Sequence, residues 1–444
     1  MNRWFRLTFW RCVLAVILVM GLVATWMRFT RGLGASTNLS DQFPWGLWIG
    51  FDVLCGVALA AGGFTISAAV YVFHVERFRP ILRPTILTAF LGYSLVIVAL
   101  LFDLGRSTRI WHPLIMWNPR SVMFEVGWCV MLYTTVLALE FSPLLWEKLG
   151  WNKALKITKG LTIPLVVAGV ILSTLHQSSL GSLFLIVPGK LHPIWYSPWL
   201  PVFFFVSAVG LGFAMTIFES FLSFRAFGRR IELPLLQELG KWIVVSLAVY
   251  GVLRIQDMMD RGVLDLALGS SYEARMFQAE FILGVVGPIL LLLVPAFRKD
   301  DLGLFVSALL VISGFVLNRL NVSITGLERS AGFSYTPSWM EWSVTASLVA
   351  LGFVIFGLAV RYFEVMPKAE LSEEAYPAVE QLSRPWWSPS KRAFAGAALV
   401  FILSMGLAWD GIRHRPDLPA ARSQGEVTSQ QSNETPGQAA DDRS

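Results

Sequence analysis

The sequence predicts an all-α polytopic membrane protein of ten to eleven transmembrane helices, arranged as two four-helix bundles with peripheral helices. Hydrophobic residues make up 55% of the 444 residues, and the mean hydropathy is +0.60. Apolar windows of about 20 residues, the length at which a helix crosses a bilayer, recur along almost the whole chain. No soluble domain of any size fits between these windows.

Eleven windows are assigned as membrane spans. The first is kept as a membrane anchor, because Arg28 and Arg31 follow it and no small-residue cleavage site does. The seventh is the least certain assignment, because its apolar window is short and is followed closely by the charged residues Arg254 and Asp257. The predicted bounds are Val13–Thr30, Trp45–Phe73, Pro84–Leu104, Val122–Leu145, Leu161–Leu180, Pro198–Phe224, Trp242–Arg254, Met276–Phe297, Leu302–Leu320, Trp339–Tyr362 and Ala393–Trp409.

The second span is the element around which the chain is organised. Aromatic residues lead into it, and Asp52 lies less than two turns inside it. An ionisable residue within a span is costly and is by default a candidate functional group. Small residues then allow another helix to approach closely. They are Gly56, Ala60, Gly62 and Gly63.

Lys and Arg are about twice as frequent in one set of loops as in the other, which predicts a cytoplasmic N-terminus. This distribution accounts for the net charge of +6 without a nucleic-acid partner. The predicted segments are an N-terminal transmembrane anchor (1–34), the main membrane domain (35–363), a cytoplasmic linker (364–392), an extra transmembrane or interfacial helix (393–410) and a disordered tail (411–444).

Three cysteines lie in apolar windows without a CxxC neighbour, so we interpret them as small buried side chains. Neither a disulfide framework nor a metal site is indicated. The cysteines are Cys12, Cys55 and Cys129.

Polar side chains collect at the outer ends of the predicted helices, where lipid cannot solvate them and they are expected to face one another around a cavity. The polar residues at these ends are Asp52, Asp103, Arg106, Glu125, His176, Gln177, Ser178, Ser179, Arg254, Gln256, Asp257, Glu280 and Glu341, and together they predict a site for a polar head group near the outer surface. Asp103 and Arg106 are equally well explained as an ion pair within one helix end, and His176 as an interhelical hydrogen bond. Trp339 and Trp342 are better explained as interface anchors.

A second set of acids is spread along the spans. Glu140 and Glu219 lie near inner helix ends, and Glu125 is about four turns from Glu140 on the same helix. Acids stepped along a helix could pass protons between the two faces. Contact with lipid head groups or basic loops explains Glu140 and Glu219 equally well.

Haem was tested as a cofactor. A membrane b-type haem needs two facing histidines at similar depth, and of five histidines only His176 lies in a span. The sequence therefore predicts no haem, and it contains no cysteine quartet for an iron–sulfur cluster. Electrons would have to come from a partner.

Two short segments of the chain are similar to each other, which is explained equally well by a repeat of four-helix units and by chance. The fourth span begins with MFE at Met123, and the eighth begins with MFQAE at Met276.

Long runs of the chain resemble the quinone-reactive membrane subunit of Ni/Fe-hydrogenases, the HybB type, within the polysulfide reductase membrane-subunit, or NrfD, superfamily. The likeness covers Phe43 to Phe363 and is carried by FPWGLWIGFD, VYVFHVERFRPILRPTILTAFLGYSL, FDLGR, SVMFE, LALEFSP, TLHQSSLGSL and YTPSWMEW. The chain departs from the family by adding SRPWWSPSKR and an eleventh apolar stretch after the tenth helix.

The resemblance implies a ten-helix subunit of the bacterial cytoplasmic membrane, with menaquinone or ubiquinone as substrate. It implies an extracytoplasmic four-cluster ferredoxin-like iron–sulfur partner and the small and large subunits of Ni/Fe-hydrogenase. It places His176 and Asp103 at the quinone pocket, and Glu125 and Glu140 on a proton route. From the polar residues of the same helix ends we add Gln177, Arg106 and Asp52 to the predicted pocket, and from the acids within the spans we add Glu219 to the predicted proton route.

Two alternatives stay open. The same subunit could serve a molybdenum enzyme acting on sulfur compounds, since it meets only the ferredoxin-like partner. An ion or solute transporter would also carry acids in its spans, but would more often show spans broken by Gly or Pro, and few prolines lie inside these spans.

Overall fold

The computed structural model describes residues 9–227, 233–365 and 391–416. Within them, eleven helices are long and apolar enough to cross a membrane, so the all-α polytopic fold is confirmed. They are α1 (Phe9–Arg31), α2 (Trp48–Val72), α3 (Glu76–Asp103), α4 (Val122–Leu149), α5 (Thr162–Ser182), α6 (Leu200–Phe227), α7 (Leu233–Asp260), α8 (Tyr272–Leu293), α9 (Asp301–Ala331), α10 (Trp339–Tyr362) and α11 (Ala395–Arg413). Most of the predicted linker and tail lies outside the described residues.

Two of the sequence expectations need correction. The seventh span was expected to be short, but α7 is a continuous helix of 28 residues, because Arg254 and Asp257 are buried among other helices and do not end it. Cys12 was expected to be buried, but it lies on the exposed side of α1, whereas Cys55 and Cys129 are buried.

The helices form two four-helix bundles with three peripheral helices. The first bundle is α2–α5 and the second is α6–α9. The peripheral α1 packs on α10, α10 packs on α3, and α11 packs on α8. We call the end that carries loops 32–47, 104–121, 183–199, 261–271 and 332–338 the outer end, after the predicted orientation, and the opposite end the inner end.

Glycines set the closest helix contacts. α2 and α6 join the two bundles where a Cβ on Gly212 would lie 2.9 Å from the Gly62 backbone nitrogen. In the second bundle, a Cβ on Gly314 of α9 would lie 2.1 Å from the Cα of Gly284 on α8. Backbones can approach this closely only where both residues lack side chains. The small residues predicted to allow close packing in α2 do so.

The second span is not a regular helix. It begins as a π-helix over Trp48–Cys55, turns at residues 60–61, and ends as a π-helix over Ala68–Val72. π-Helical turns occur mostly as short interruptions and are frequent at functional sites. Asp52 is buried within the first of them.

The eleventh helix lies alongside α8 over most of its length. Near the inner end, Gly396 packs against Leu291, and near the outer end, Gly411 packs against Tyr272. An ion pair of 2.9 Å between Arg275 and Asp410 fixes the outer end. α11 therefore runs beside α8, and it is long and apolar enough to cross a membrane.

Candidate functional site

His176 and Gln177 form a buried polar pair in the first bundle. Both side chains are fully buried on α5, six and five residues before its outer end at Ser182. The Nδ1 of His176 lies 3.0 Å from the Tyr93 hydroxyl of α3, and the Gln177 amide donates to the Val57 carbonyl of α2 at 3.1 Å. His176 Nε2 and Gln177 Oε1 have no partner among the described residues. Since buried polar atoms are nearly always hydrogen-bonded, two neighbouring atoms that lack a protein partner make this pair a candidate ligand-binding position.

Polar groups continue from this pair toward the inner end. The rings of Tyr93 and Tyr133 meet edge to face at 4.6 Å, and Ser173 is fully buried one turn below His176. A Cβ on Gly169 would lie 3.6 Å from Tyr133 and 3.7 Å from the Glu140 carboxylate. The first bundle therefore holds a column of hydroxyl, imidazole and carboxyl groups.

A second group of acids lies at the outer end between α1, α2, α3 and α10. Asp52 accepts a hydrogen bond of 2.6 Å from Thr345. The Arg28 guanidinium donates to the carbonyls of Phe102 and Leu104 at 2.7 and 2.8 Å, which places its charge beside the intervening Asp103. One carboxylate oxygen of Asp103 is buried without a partner.

Glu341 organises the same end from α10. Its carboxylate accepts hydrogen bonds from the Tyr335 hydroxyl and from the backbone of Asn38 at 3.1 Å. Its side chain also completes a capping box with Ser338 at the start of α10. Burial and the neighbouring Glu341 raise the pKa of Tyr335 well above its ordinary value, so this hydroxyl remains a donor. We call Arg28, Asp52, Asp103, Tyr335, Glu341 and Thr345 the outer cluster.

The structure thus separates the predicted site residues by depth. Tyr93, the partner of His176, precedes Asp103 on α3 by ten residues, a rise of roughly 15 Å. The outer cluster holds Asp52 and Asp103, and the deeper pair holds His176 and Gln177. Arg106 is exposed in the loop after α3 and makes no ion pair with Asp103.

The predicted proton-route acids occupy three different positions. Glu125 is exposed at the first turn of α4 and accepts a 2.5 Å hydrogen bond from Ser179 of α5. Glu140 lies deeper on α4, with one oxygen buried and unpartnered. Glu219 is buried on α6 and faces Thr88 of α3.

The second bundle contains a buried network centred on Glu280, outside the predicted quinone pocket and proton route. The Glu280 carboxylate of α8 accepts from Trp195 at 3.1 Å, from Asn318 at 2.9 Å and from Asn321 at 2.6 Å. Both asparagines are on α9. In the first bundle Glu125 of α4 bonds to Ser179 of α5, and in the second Glu280 of α8 bonds to two asparagines of α9. The third and fourth helices of both bundles are thus joined through an acid, as a repeat of four-helix units would predict.

Two buried arginines flank this network. Arg319 donates to Asn318 at 2.8 Å and to Ser207 at 2.7 Å, and its guanidinium lies 3.7 Å from the centre of the Phe204 ring. Arg254 donates to the Ile194 carbonyl at 2.8 Å. Neutral acceptors and an aromatic face therefore hold Arg319 in the bundle interior.

Sequence reasoning missed Tyr93, Arg28, Tyr335 and Arg319. Arg28 and Arg319 lie at the very ends of their predicted spans, where a basic residue is ordinary. For Arg319 a signal existed, since Asn318 and Asn321 flank it within one turn, and clustered amide side chains inside a span indicate interhelical hydrogen bonding.

Comparison with known proteins identifies the wider group. The family described as "Polysulphide reductase, NrfD" matches residues 35–331. These residues include α2–α9 and every predicted site residue.

Three relatives match over most of their length. A protein of Nitratidesulfovibrio vulgaris is 43% identical over 76% of this chain and 89% of its own. The probable Ni/Fe-hydrogenase 2 b-type cytochrome subunit of Escherichia coli is 35% identical over 77% of this chain and 88% of its own. The integral membrane subunit of menaquinone reductase from N. vulgaris is 30% identical over 82% and 93%.

The name of the E. coli relative contradicts the expectation of a chain without haem, because a b-type cytochrome subunit implies haem. That expectation rested on counting histidines within spans, and the count does not carry the conclusion. A b-type haem would need two facing imidazole nitrogens at similar depth. His176 offers a buried Nε2 without a partner.

A second axial histidine does not face His176 among the described residues. His74 follows α2 at the inner end, and His112 begins the short helix His112–Ile115 at the outer end. His192 lies in the outer loop against Trp195, and His414 contacts Asp410 after α11. The histidines among the described residues therefore do not form the facing pair that a b-type haem needs.

Proposed function

This chain belongs to the polysulphide reductase NrfD family, and we propose that it is the quinone-reactive membrane subunit of a respiratory oxidoreductase complex. Its relatives include membrane subunits of a hydrogenase and of a menaquinone reductase. In this proposal, residues 35–363 form the quinone-reactive domain in the bacterial cytoplasmic membrane, with the N-terminus in the cytoplasm. The substrate is menaquinone or ubiquinone.

The observation that carries the proposal is the pair of unpartnered atoms on adjacent residues of α5, His176 Nε2 and Gln177 Oε1. When the Tyr93 hydroxyl donates to Nδ1, the imidazole proton resides on Nε2. That N–H is then free to donate to a quinone carbonyl oxygen. As this oxygen becomes negative during reduction, the hydrogen bond strengthens, and the site stabilises the reduced form.

Reduction of one quinone to quinol consumes two electrons and two protons. We assign the electrons to an extracytoplasmic ferredoxin-like iron–sulfur partner, supplied by Ni/Fe-hydrogenase. Glu125 is exposed and bonded to Ser179, one turn from His176, which suits it to admit protons from the outer end. Glu140 and Glu219 would extend the route inward.

The outer cluster has a different role in this proposal. Asp52 and Asp103 lie above the His176 pair on the path from the outer end, so they fit proton delivery and the electrostatics of the entrance. Arg28 offsets the negative charge of Asp103. Arg106, exposed in the adjoining loop, fits an ionic contact with the iron–sulfur partner.

The test is His176→Ala in the assembled complex, measured as quinone turnover in membranes. Loss of a positioned proton donor typically costs a factor of about 100 or more, so turnover falls by at least that factor while the complex still assembles. Thr174→Ala is the matched control, since the Thr174 hydroxyl donates only to the Val170 carbonyl of its own helix. Turnover within twofold of wild type in His176→Ala would remove His176 from the site.

Tyr93→Phe tests the role of the Tyr93 hydroxyl while the imidazole ring of His176 stays in place. It keeps the aromatic contact but removes the group that faces Nδ1, so Nε2 no longer holds the proton in a fixed position. The expected result is an intermediate loss of turnover. An effect as small as that of Thr174→Ala would contradict the assigned hydrogen-bond direction.

A further inference from the structure

A groove with a cationic lining lies at the inner end, away from every residue assigned above. Its volume is about 360 Å³, and it is formed where α7 meets the first turn of α3 and the turn between α8 and α9. The lining side chains are Arg77, Gln237, Glu238, Lys241, Arg298 and Lys299. Three segments distant in sequence therefore meet in one concave surface.

The charge of this groove is not balanced by its own residues. Glu238 is the one acid among the lining residues that the structure describes, and it is paired with Arg77 at 2.5 Å. Lys241, Arg298 and Lys299 make no ion pair within the part of the chain that the structure describes. An anion is therefore the complementary ligand.

The groove is also held in shape. Arg298 donates to the Leu292 carbonyl at 3.1 Å, and its stem packs 3.7 Å from the position of a Cβ on Gly240. Gln237 donates to the Lys299 carbonyl at 3.5 Å. These contacts fix the turn after α8 against α7, so the cations are grouped and not merely spread along a loop.

An exposed apolar stripe continues from the groove along the same face of α7. Val245 and Val249 follow Lys241 at intervals of four residues, which places all three on one face. They are 51% and 46% exposed, and Trp242 beside them is 47% exposed. On the neighbouring α8, Leu293 is 56% exposed. A helix face of this composition contacts acyl chains.

We propose that this groove binds the phosphate of an anionic phospholipid, whose acyl chains lie on the exposed stripe of α7 and α8. The cations attract the phosphate, and Trp242 lies at the level where head groups meet chains. A free phosphate would use the cations but not the stripe. The two sources of phosphate are therefore distinguishable.

The test uses the full-length chain purified in nonionic detergent and the double variant Lys241→Gln/Lys299→Gln. Binding of phosphatidylglycerol is measured by native mass spectrometry. Each basic side chain near an anionic head group contributes a factor of about five, so the double variant binds about 30-fold more weakly. The matched control is Lys153→Gln/Lys156→Gln, which removes two exposed lysines from the Asn152–Gly160 helix at the same end.

Equal affinity in the groove variant and the control would overturn the proposal. So would equal binding of phosphatidylcholine, or saturation of the groove by inorganic phosphate alone. Thermal unfolding without added lipid checks that the double variant is folded. If it is not, the single variant Lys299→Gln is used, with an expected loss of about fivefold, and an unchanged affinity there counts against the proposal.

Discussion

Replacing Glu280 with alanine tests whether the buried network of the second bundle stabilises the fold. The carboxylate accepts three side-chain hydrogen bonds, of 3.1, 2.9 and 2.6 Å. Each orphaned donor costs about 1 to 2 kcal/mol in a buried site, so Glu280→Ala should lose about 3 to 6 kcal/mol. Glu280→Gln keeps one acceptor oxygen and should lose about half as much.

The assay is thermal unfolding of the purified chain in detergent, followed by circular dichroism. At about 2 °C per kcal/mol for a chain of this size, Glu280→Ala should lower the Tm by roughly 6 to 12 °C. The control is Glu76→Ala, which removes an exposed ion pair with Arg79 worth at most about 1 kcal/mol. If Glu280→Ala melts within 2 °C of this control, water replaces the carboxylate and the network is not structural.

Three further predictions concern packing, the last helix and pH. Gly314→Val should prevent folding or lower the Tm by more than about 10 °C, because the new Cβ would overlap the α8 backbone, whereas Gly357→Ala, with open space around it, should change the Tm little. Arg415→Ala should lower the Tm by a few degrees, because it removes the ion pair with buried Glu328; an unchanged Tm would contradict this. Burial lowers the pKa of His192 below its ordinary value, although Glu273 opposes the shift, so stability should fall as the pH drops through that ordinary value toward about 5. His192→Gln should reduce this pH dependence of the Tm.

The spans were predictable because each one must satisfy the same physical condition, about 20 apolar residues in a row. That condition located all eleven candidate helices, including α11, for which a transmembrane or an interfacial position stays a prediction. It failed at the end of α7, since Arg254 and Asp257 resemble the end of a span by composition. Their burial among neighbouring helices is a tertiary fact that a window of hydropathy does not contain.

The polar residues were predictable as candidates but not as groups. His176 was identified because a histidine within a span is costly. Its partner Tyr93 was not identified, since tyrosine is common in spans. Only the packing of α3 against α5 makes its hydroxyl the hydrogen-bond partner of His176 Nδ1. Arg28 was missed for the same reason, because it lies 75 residues before Asp103 in the sequence and only the packing of the helices brings the two side chains together. Separation by depth, roughly 15 Å between Tyr93 and Asp103, likewise depends on helix register.

The position of α11 has a consequence for biosynthesis. It leaves the ribosome after the ten other candidate spans, and it packs against both α8 and α9, the two helices that meet at Gly284 and Gly314. Until α11 is synthesised, the helix that carries Glu280 has one side open to lipid. Chains interrupted before residue 395 would therefore present an incomplete second bundle to membrane proteases. Degradation of such chains would begin in α6–α9 and not in the first bundle.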